Sequence, residues 1–205
     1  EGGTASASPT IAVPGETVTL SATPAYGYSF AGWFSTPSVT ISNNKFTMPA
    51  DNITVTARFT LLPTYTLTIS VSPENGGTTN PAPGQHSYPK GTVVSLTASP
   101  STGYKFTGWS GDVSGTSSTI SITMDSNKTV TANFELQSYT ITATKDPEDG
   151  GDVSVSPGLT VHYGTSVTVT AIPASGYEFV GWEGYLSGTE NPKSFTMPAS
   201  DITIT

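Results

Sequence analysis

Gly27-Tyr28-Ser29-Phe30-Ala31-Gly32-Trp33 is a stretch whose pattern, Gly-Tyr-x-Phe-x-Gly-Trp, recurs along the chain. The pattern returns at Gly103–Trp109 and again at Gly176–Trp182, so the three tryptophans are 76 and 73 residues apart. Self-similarity at a fixed period is the sequence mark of a repeat architecture. The chain of 205 residues is therefore predicted to hold three tandem copies of one unit.

Other residues recur in phase with this signature. A glycine lies 18 residues before each tryptophan and a methionine 15 residues after it: Gly15, Gly91, Gly164, Met48, Met124 and Met197. Paired glycines recur near the start of each unit: Gly2-Gly3, Gly76-Gly77 and Gly150-Gly151. The predicted boundaries are 1–62, 63–136 and 137–205. Unit 1 is expected to lack its first strand and unit 3 the end of its last strand, whereas unit 2 is complete.

Apolar residues within each unit alternate with polar ones. Val18 and Leu20 share one face of a segment whose other face is formed by Thr17 and Thr19. This period of two is the signal of a strand with one buried face, and the many Gly and Pro residues interrupt any longer element. No stretch shows helical spacing. The fold class predicted is all-β, an elongated tandem array of three small antiparallel units.

Composition excludes several classes of function. Lys and Arg number only seven against a net charge of -8, and they form no basic stripe, so no nucleic-acid partner is expected. The absence of Cys excludes disulfides and thiolate metal sites, and it leans towards an exported protein. No apolar run is long enough to predict direct membrane insertion.

The signature, together with Ser110-Gly111-Asp112 and the closing Thr129-Val130-Thr131-Ala132-Asn133-Phe134, resembles the divergent internalin-type B-repeat of bacterial surface proteins. Unit 2 matches from Tyr65 to Phe134, and the other two units match over most of their length. Classical members have a small β-grasp-like fold with a short helix, for which this sequence shows no helical stretch. The resemblance implies an extracellular stalk or adhesion module of a cell-surface or secreted protein.

Trp33, Trp109 and Trp182 are the candidate ligand-binding residues. With the signature tyrosines they are able to stack on sugar rings, but a repeated signature is also what a packing requirement produces. On a regular strand the Tyr and Phe of the signature share one face and the Trp points to the other. The strand is therefore either bulged at the glycine before Trp, or one set of aromatics is partly exposed.

The acidic loop Asp146, Glu148, Asp149 and Asp152 offers four carboxylates of the kind that calcium prefers. The corresponding turn of unit 2, Glu74-Asn75-Gly76-Gly77, carries far less charge. Asp-Gly and Asn-Gly also form tight turns without metal. Turn chemistry is the favoured interpretation, and no metal site is predicted.

No catalytic residues and no cofactor are predicted. His86 and His162 do not align between the units, and neither has a second His or Cys at ligand spacing. Asp112 is matched by Thr36 and Tyr185 in the other units, which argues against an acid shared by all three. Acyl transfer needs a nucleophile paired with a base, and glycosyl transfer needs two carboxyl groups at the same site.

The leading hypothesis is a non-enzymatic extracellular segment that acts as a stalk, spacer or adhesion module. Its expected partners are neighbouring repeats in a longer chain, and cell-wall or host-surface glycans or proteins. The alternative is a module that binds carbohydrate or a host ligand through exposed aromatics. The expected location is extracellular, at the cell surface or secreted.

Overall fold

A computed structural model describes residues 2–205, and they form eighteen strands and no helix. The first repeat holds five strands: β1 Gly3–Ser8, β2 Thr17–Pro24, β3 Tyr28–Thr36, β4 Lys45–Thr47 and β5 Thr54–Leu61. The second holds seven: β6 Thr64–Ser72, β7 Gly77–Asn80, β8 Gly84–Pro89, β9 Val93–Pro100, β10 Tyr104–Gly111, β11 Thr119–Thr123 and β12 Lys128–Leu136. The third holds six: β13 Ser138–Ala143, β14 Gly151–Ser156, β15 Thr160–His162, β16 Ser166–Pro173, β17 Lys193–Thr196 and β18 Ile202–Ile204.

The predicted all-β fold class is confirmed, because the strands form several small and mostly antiparallel sheets. The helix of the classical β-grasp is missing from the described residues. The pair of β13 and β18 departs from the antiparallel expectation. β13 lies parallel to β18, with Ile141 opposite Ile202. Parallel neighbours need a long connection, which the rest of the third repeat supplies.

The chain divides into two compact units whose boundary runs through the second repeat. One comprises the chain up to Thr68 with Gln85–Val94 and Ser121–Lys128. The other comprises Ile69–Gly84, Ser95–Ile120 and Thr129–Thr205. Each compact unit therefore contains one junction between consecutive repeats.

The first compact unit contains the sheets β1-β2-β4 and β3-β5. The predicted inner face of β2 is confirmed, since Val18 and Leu20 are buried and pack with Phe46 of β4. Ser and Thr residues occupy the opposite, exposed face, as the alternation predicts. The small core therefore lies on one side of the three-stranded sheet.

The second compact unit contains the sheets β15-β13-β18 and β14-β16-β17, together with the pairs β10-β12 and β7-β9. Val167 and Val169 of β16 are fully buried, as their alternation with threonine predicts. They belong to a cluster of nine buried residues: Ile141, Val161, Val167, Val169, Trp182, Leu186, Met197, Ile202 and Ile204. Met197, one of the methionines that recur 15 residues after each signature tryptophan, is thus a core residue.

The signature strand is bulged at the glycine before its tryptophan in the first two repeats. The register shifts between Phe106 and Gly108 in β10, and between Phe30 and Gly32 in β3. Gly108 has φ +147°, in a region that side-chain-bearing residues rarely adopt. One extra residue turns the following side chain to the other face of the sheet. The bulge places Phe106 and Trp109 on the same side.

Candidate functional site

Aromatic rings of the signature pack into a cluster in each of the first two repeats. In the second, the Phe106 ring meets Trp109 edge-on at 5.5 Å and also meets Phe134 of β12 at 5.5 Å. In the first, Phe30 meets Trp33 at 5.1 Å and Phe59 of β5 at 5.9 Å. Edge-on geometry is the favourable arrangement for aromatic pairs. The last strand of each repeat therefore completes the cluster with its phenylalanine.

The tryptophans differ in exposure. Trp109 and Trp182 are 4% and 3% exposed, and Trp33 is half-buried. The Trp109 Nε1–H donates to the Ser117 carbonyl at 3.1 Å, and the Trp182 Nε1–H donates to the Glu190 carbonyl at 2.8 Å. Packing and hydrogen bonding account for the position of these two indoles. A ligand-binding role for the three tryptophans stays a prediction.

A cradle for the closing phenylalanine is formed by the paired glycines. A Cβ atom placed on Gly76 would lie 2.7 Å from the Cβ of Phe134, and one on Gly77 would lie 2.5 Å from its Cζ. Gly2 and Gly3 are equally close to Phe59 in the first repeat. Real Cβ atoms do not approach so closely, so the ring requires glycine at both positions. The repeated glycine pair was visible in the sequence, but its function as a ring cradle was missed.

The described residues of the third repeat form part of this arrangement. Phe179 and Trp182 still pack at 4.9 Å, but no third ring joins them among the described residues. The signature residues Tyr177–Gly181 belong to no strand, unlike those of β3 and β10. The three atoms nearest to the would-be Cβ of Gly150 all belong to Pro147. A cleft between the glycine pair and the signature segment is lined by Pro147, Gly150, Phe179 and Trp182.

Two backbone hydrogen bonds join consecutive repeats at each junction. At the first, the Leu62 N–H donates to the Gly27 carbonyl and the Lys90 N–H donates to the Pro63 carbonyl, both at 2.8 Å. Gly27 is the first glycine of the signature and has φ +84°. We call this pair of bonds the junction clasp. It fixes the linker to the repeat on either side.

The second junction repeats the clasp with one linker residue fewer. The Gln137 N–H donates to the Gly103 carbonyl at 2.8 Å, and its own carbonyl accepts from the Tyr163 N–H at 3.0 Å. The Tyr163 ring lies directly over Gly103, in the space that a Cβ there would need. Gly103 is buried and has φ +80°. The first signature glycine therefore accepts a hydrogen bond from the linker and leaves room for the Tyr163 ring. Local sequence patterns do not reveal this function.

Carboxylates of the acidic loop are used within the fold. Asp149 accepts a hydrogen bond from the Tyr177 hydroxyl at 3.0 Å, and Asp152 pairs with Lys145 at 3.2 Å. The Gly150 N–H donates to the Pro147 carbonyl at 2.9 Å and closes a turn. No group of three or more potential metal ligands is found in residues 2–205. The bond from Gly150 forms a turn of the kind that the Asp-Gly sequence indicates.

The other polar candidates have local partners. Asp112 accepts from the Thr129 N–H at 2.6 Å, and His162 Nδ1 lies 3.1 Å from the Ser138 hydroxyl. The ammonium of Lys128, 2.8 Å from Asp125, lowers the pKa of that exposed carboxyl. Partial burial and the nearby Tyr26 raise the pKa of Tyr88. These shifts have local causes, and Asp112 and His162 each bond to a different residue.

Comparison with known families gives one clear result. A model of the divergent InlB B-repeat domain matches residues 1–63, 67–138 and 139–205. These ranges cover almost the whole chain and reproduce the three copies expected from the signature. No curated protein matches the chain. In the part of the chain that the structure describes, no helix has the length and apolar character needed to cross a bilayer.

Proposed function

Because the chain belongs to the divergent InlB B-repeat family, we propose that it is a non-enzymatic extracellular spacer of a bacterial surface protein. Its task is to hold an attached domain away from the surface on a series of fixed joints. The observation that carries this proposal is the junction clasp, which recurs at both junctions with the same signature glycine as acceptor. A spacer that holds an attached domain at a defined position needs a fixed geometry at the junctions between its repeats.

The clasp supports stiffness for a physical reason. A flexible linker leaves its backbone groups to water and samples many conformations. Leu62, Pro63 and Gln137 instead bond the repeats on both sides through their backbone groups. Each such bond contributes about 1 kcal/mol. The Tyr163 ring on Gly103 adds apolar contact at the second junction.

Distances between spin labels test the joint in the second compact unit. The chain has no native Cys, so Ser99→Cys and Ser154→Cys, both at exposed positions, allow clean labelling on either side of the junction. A spacer with fixed joints should give one narrow distance distribution by pulsed electron resonance. A broad distribution, as a freely jointed linker would give, contradicts the spacer proposal.

The Gly103→Ala substitution should broaden that distribution. Its Cβ would overlap the Tyr163 ring, and the residue would also carry the cost of a left-handed φ, about 1 kcal/mol. Gly164→Ala is the matched control at the same junction, because its φ of +78° is nearly the same but nothing lies within 4 Å of its would-be Cβ. Gly164→Ala should leave the Ser99–Ser154 distance unchanged. Equal broadening by both variants would remove the assigned function of Tyr163.

Ligand binding through exposed aromatics is the second candidate function. The observation that favours it is Tyr26, which is 73% exposed beside the half-buried Tyr88 in the first compact unit. Tyrosine rings stack on sugars and offer a hydroxyl for hydrogen bonding. If this surface binds cell-wall or host glycans, Tyr26→Ala should abolish binding on a glycan array. Thr102→Ala, at the matching position of the second repeat, is the control.

A further inference from the structure

One face of the β3-β5 sheet, opposite the aromatic cluster of the first repeat, carries an aromatic ring covered by a cation. The guanidinium of Arg58 on β5 lies over the ring of Phe34 on β3, 3.6 Å from the ring centroid. We call these two residues the stacked pair. Phe34 is 47% exposed, and Arg58 is the only arginine of the chain. By strand alternation the same face carries four exposed threonines: Thr36, Thr54, Thr56 and Thr60.

The matching positions of the second repeat have a different arrangement. Ser110 and Asn133 take the places of the stacked pair. The Asn133 amide donates to the Ser110 hydroxyl at 2.9 Å and to the Gly108 carbonyl at 3.1 Å, so its donors are used within the sheet. In the described part of the chain, the Arg58 guanidinium donates to no acceptor. The first repeat therefore replaces a bonded polar pair with a cation whose five N–H donors are left to solvent.

Stacking uses the face of the guanidinium and leaves its edge free. The π electrons of the Phe34 ring attract the cation and hold its position over the ring. The N–H donors lie in the guanidinium plane and form a fork that matches the two oxygens of a carboxylate. A donor group that is already held in place loses less entropy on binding than a mobile one. The stacked pair therefore presents a preformed carboxylate site.

The surroundings of the stacked pair are open and carry few acidic groups. Gly32 is the cross-strand partner of Arg58, and no described atom lies within 4 Å of its would-be Cβ. At the matching Gly108 of the second repeat, a backbone carbonyl lies 2.9 Å from the would-be Cβ. Of the 15 Asp and Glu residues, three belong to residues 1–62 and eight to residues 137–205. An anionic ligand therefore meets less repulsion at the first repeat than at the third.

We infer that the stacked pair binds the carboxylate of an acidic sugar in a cell-wall or host glycan. The edge of the Arg58 guanidinium donates to the two carboxylate oxygens, and the Phe34 ring holds the guanidinium in place. The surrounding threonine hydroxyls bond to the hydroxyl groups of the sugar, whereas a bound peptide is recognised by backbone pairing and side-chain pockets. The site uses neither Tyr26 nor the junctions between repeats. It therefore adds to the spacer function and is tested separately from both functions proposed above.

The single arginine allows a direct test on the intact, isotope-labelled chain. Arg58 gives the only arginine Nε–H resonance, and a tetrasaccharide ending in glucuronic acid should shift it in a saturable way. The matching tetrasaccharide that ends in glucose should bind at least about tenfold more weakly, because the charged hydrogen bonds are lost. One that ends in sialic acid shows which of the two sugar acids is preferred. No shift with either acidic sugar, equal binding of the glucose form, or tighter binding of a peptide through its C-terminal carboxylate overturns the inference.

Three variants at exposed positions separate the guanidinium fork from its charge, with binding of the preferred acidic sugar followed through the amides of β3. Arg58→Lys keeps the cation but loses the planar fork, and should weaken binding about fivefold. Phe34→Ser copies the second repeat and frees the guanidinium, which should weaken binding about threefold. Lys45→Ala is the control, because it removes an exposed cation from β4 of the same repeat and should leave binding unchanged. Equal weakening by Lys45→Ala and Arg58→Lys would indicate general charge attraction and contradict the site.

Discussion

The Trp109→Ala variant should lose about 3–5 kcal/mol of unfolding free energy, as expected for removal of a buried aromatic side chain. The Trp109 indole is 4% exposed, contacts the Phe106 ring and donates its N–H to the Ser117 carbonyl. Removal leaves a cavity and an unpaired carbonyl. A small repeat has a limited core, so this loss is close to the entire unfolding free energy of the second repeat.

Unfolding of this variant should be followed residue by residue. In a tandem array each repeat is able to open separately, and a single transition then does not describe the chain. Hydrogen exchange should show lost protection in β10 and β12, with the amides of β16 less affected. Trp33→Ala is the comparison, because that indole is half-buried and bonds an exposed side chain, Asn44. A Trp109→Ala cost below that of Trp33→Ala would contradict the packing role.

The sequence predicted the strands because their alternation is local. Val18, Leu20, Val167 and Val169 are buried where the period of two placed them. The bulge was one of two alternatives, and the glycine before the tryptophan supplied the reason, since a left-handed φ is accessible mainly to glycine. Residues within a few positions of each other were enough to determine both features.

Features that depend on distant residues were not predicted. The cradle joins Gly77 to Phe134, and the junction clasp joins Gln137 to Gly103 and to Tyr163. The parallel pairing of β13 with β18 likewise joins the two ends of one repeat. A pattern in the sequence marks these residues as recurrent but does not identify which one contacts which.

The recurrence of the glycine pair now has a physical cause that can be measured. In the second repeat, Gly77 lies between the Phe134 ring and the Ser99 carbonyl, and a Cβ there would be 2.5 Å from both. The ring is held in turn by Phe106, and the carbonyl belongs to β9, so neither neighbour is free to move aside. Gly77→Ala should therefore destabilise the chain by about 2–3 kcal/mol, in the range for overpacking.

Two comparisons separate this clash from a general effect of replacing glycine. Gly158→Ala should change stability by less than about 0.5 kcal/mol, because nothing lies within 4 Å of its would-be Cβ and its φ is ordinary. A double-mutant cycle of Gly77→Ala with Phe134→Leu should show a coupling of about 1 kcal/mol, since the smaller side chain makes room for the methyl group. Both are measured by denaturant unfolding with hydrogen exchange. If the losses of unfolding free energy in the two single variants are additive, Gly77 does not make room for the Phe134 ring. The packing explanation of the paired glycines would then be wrong.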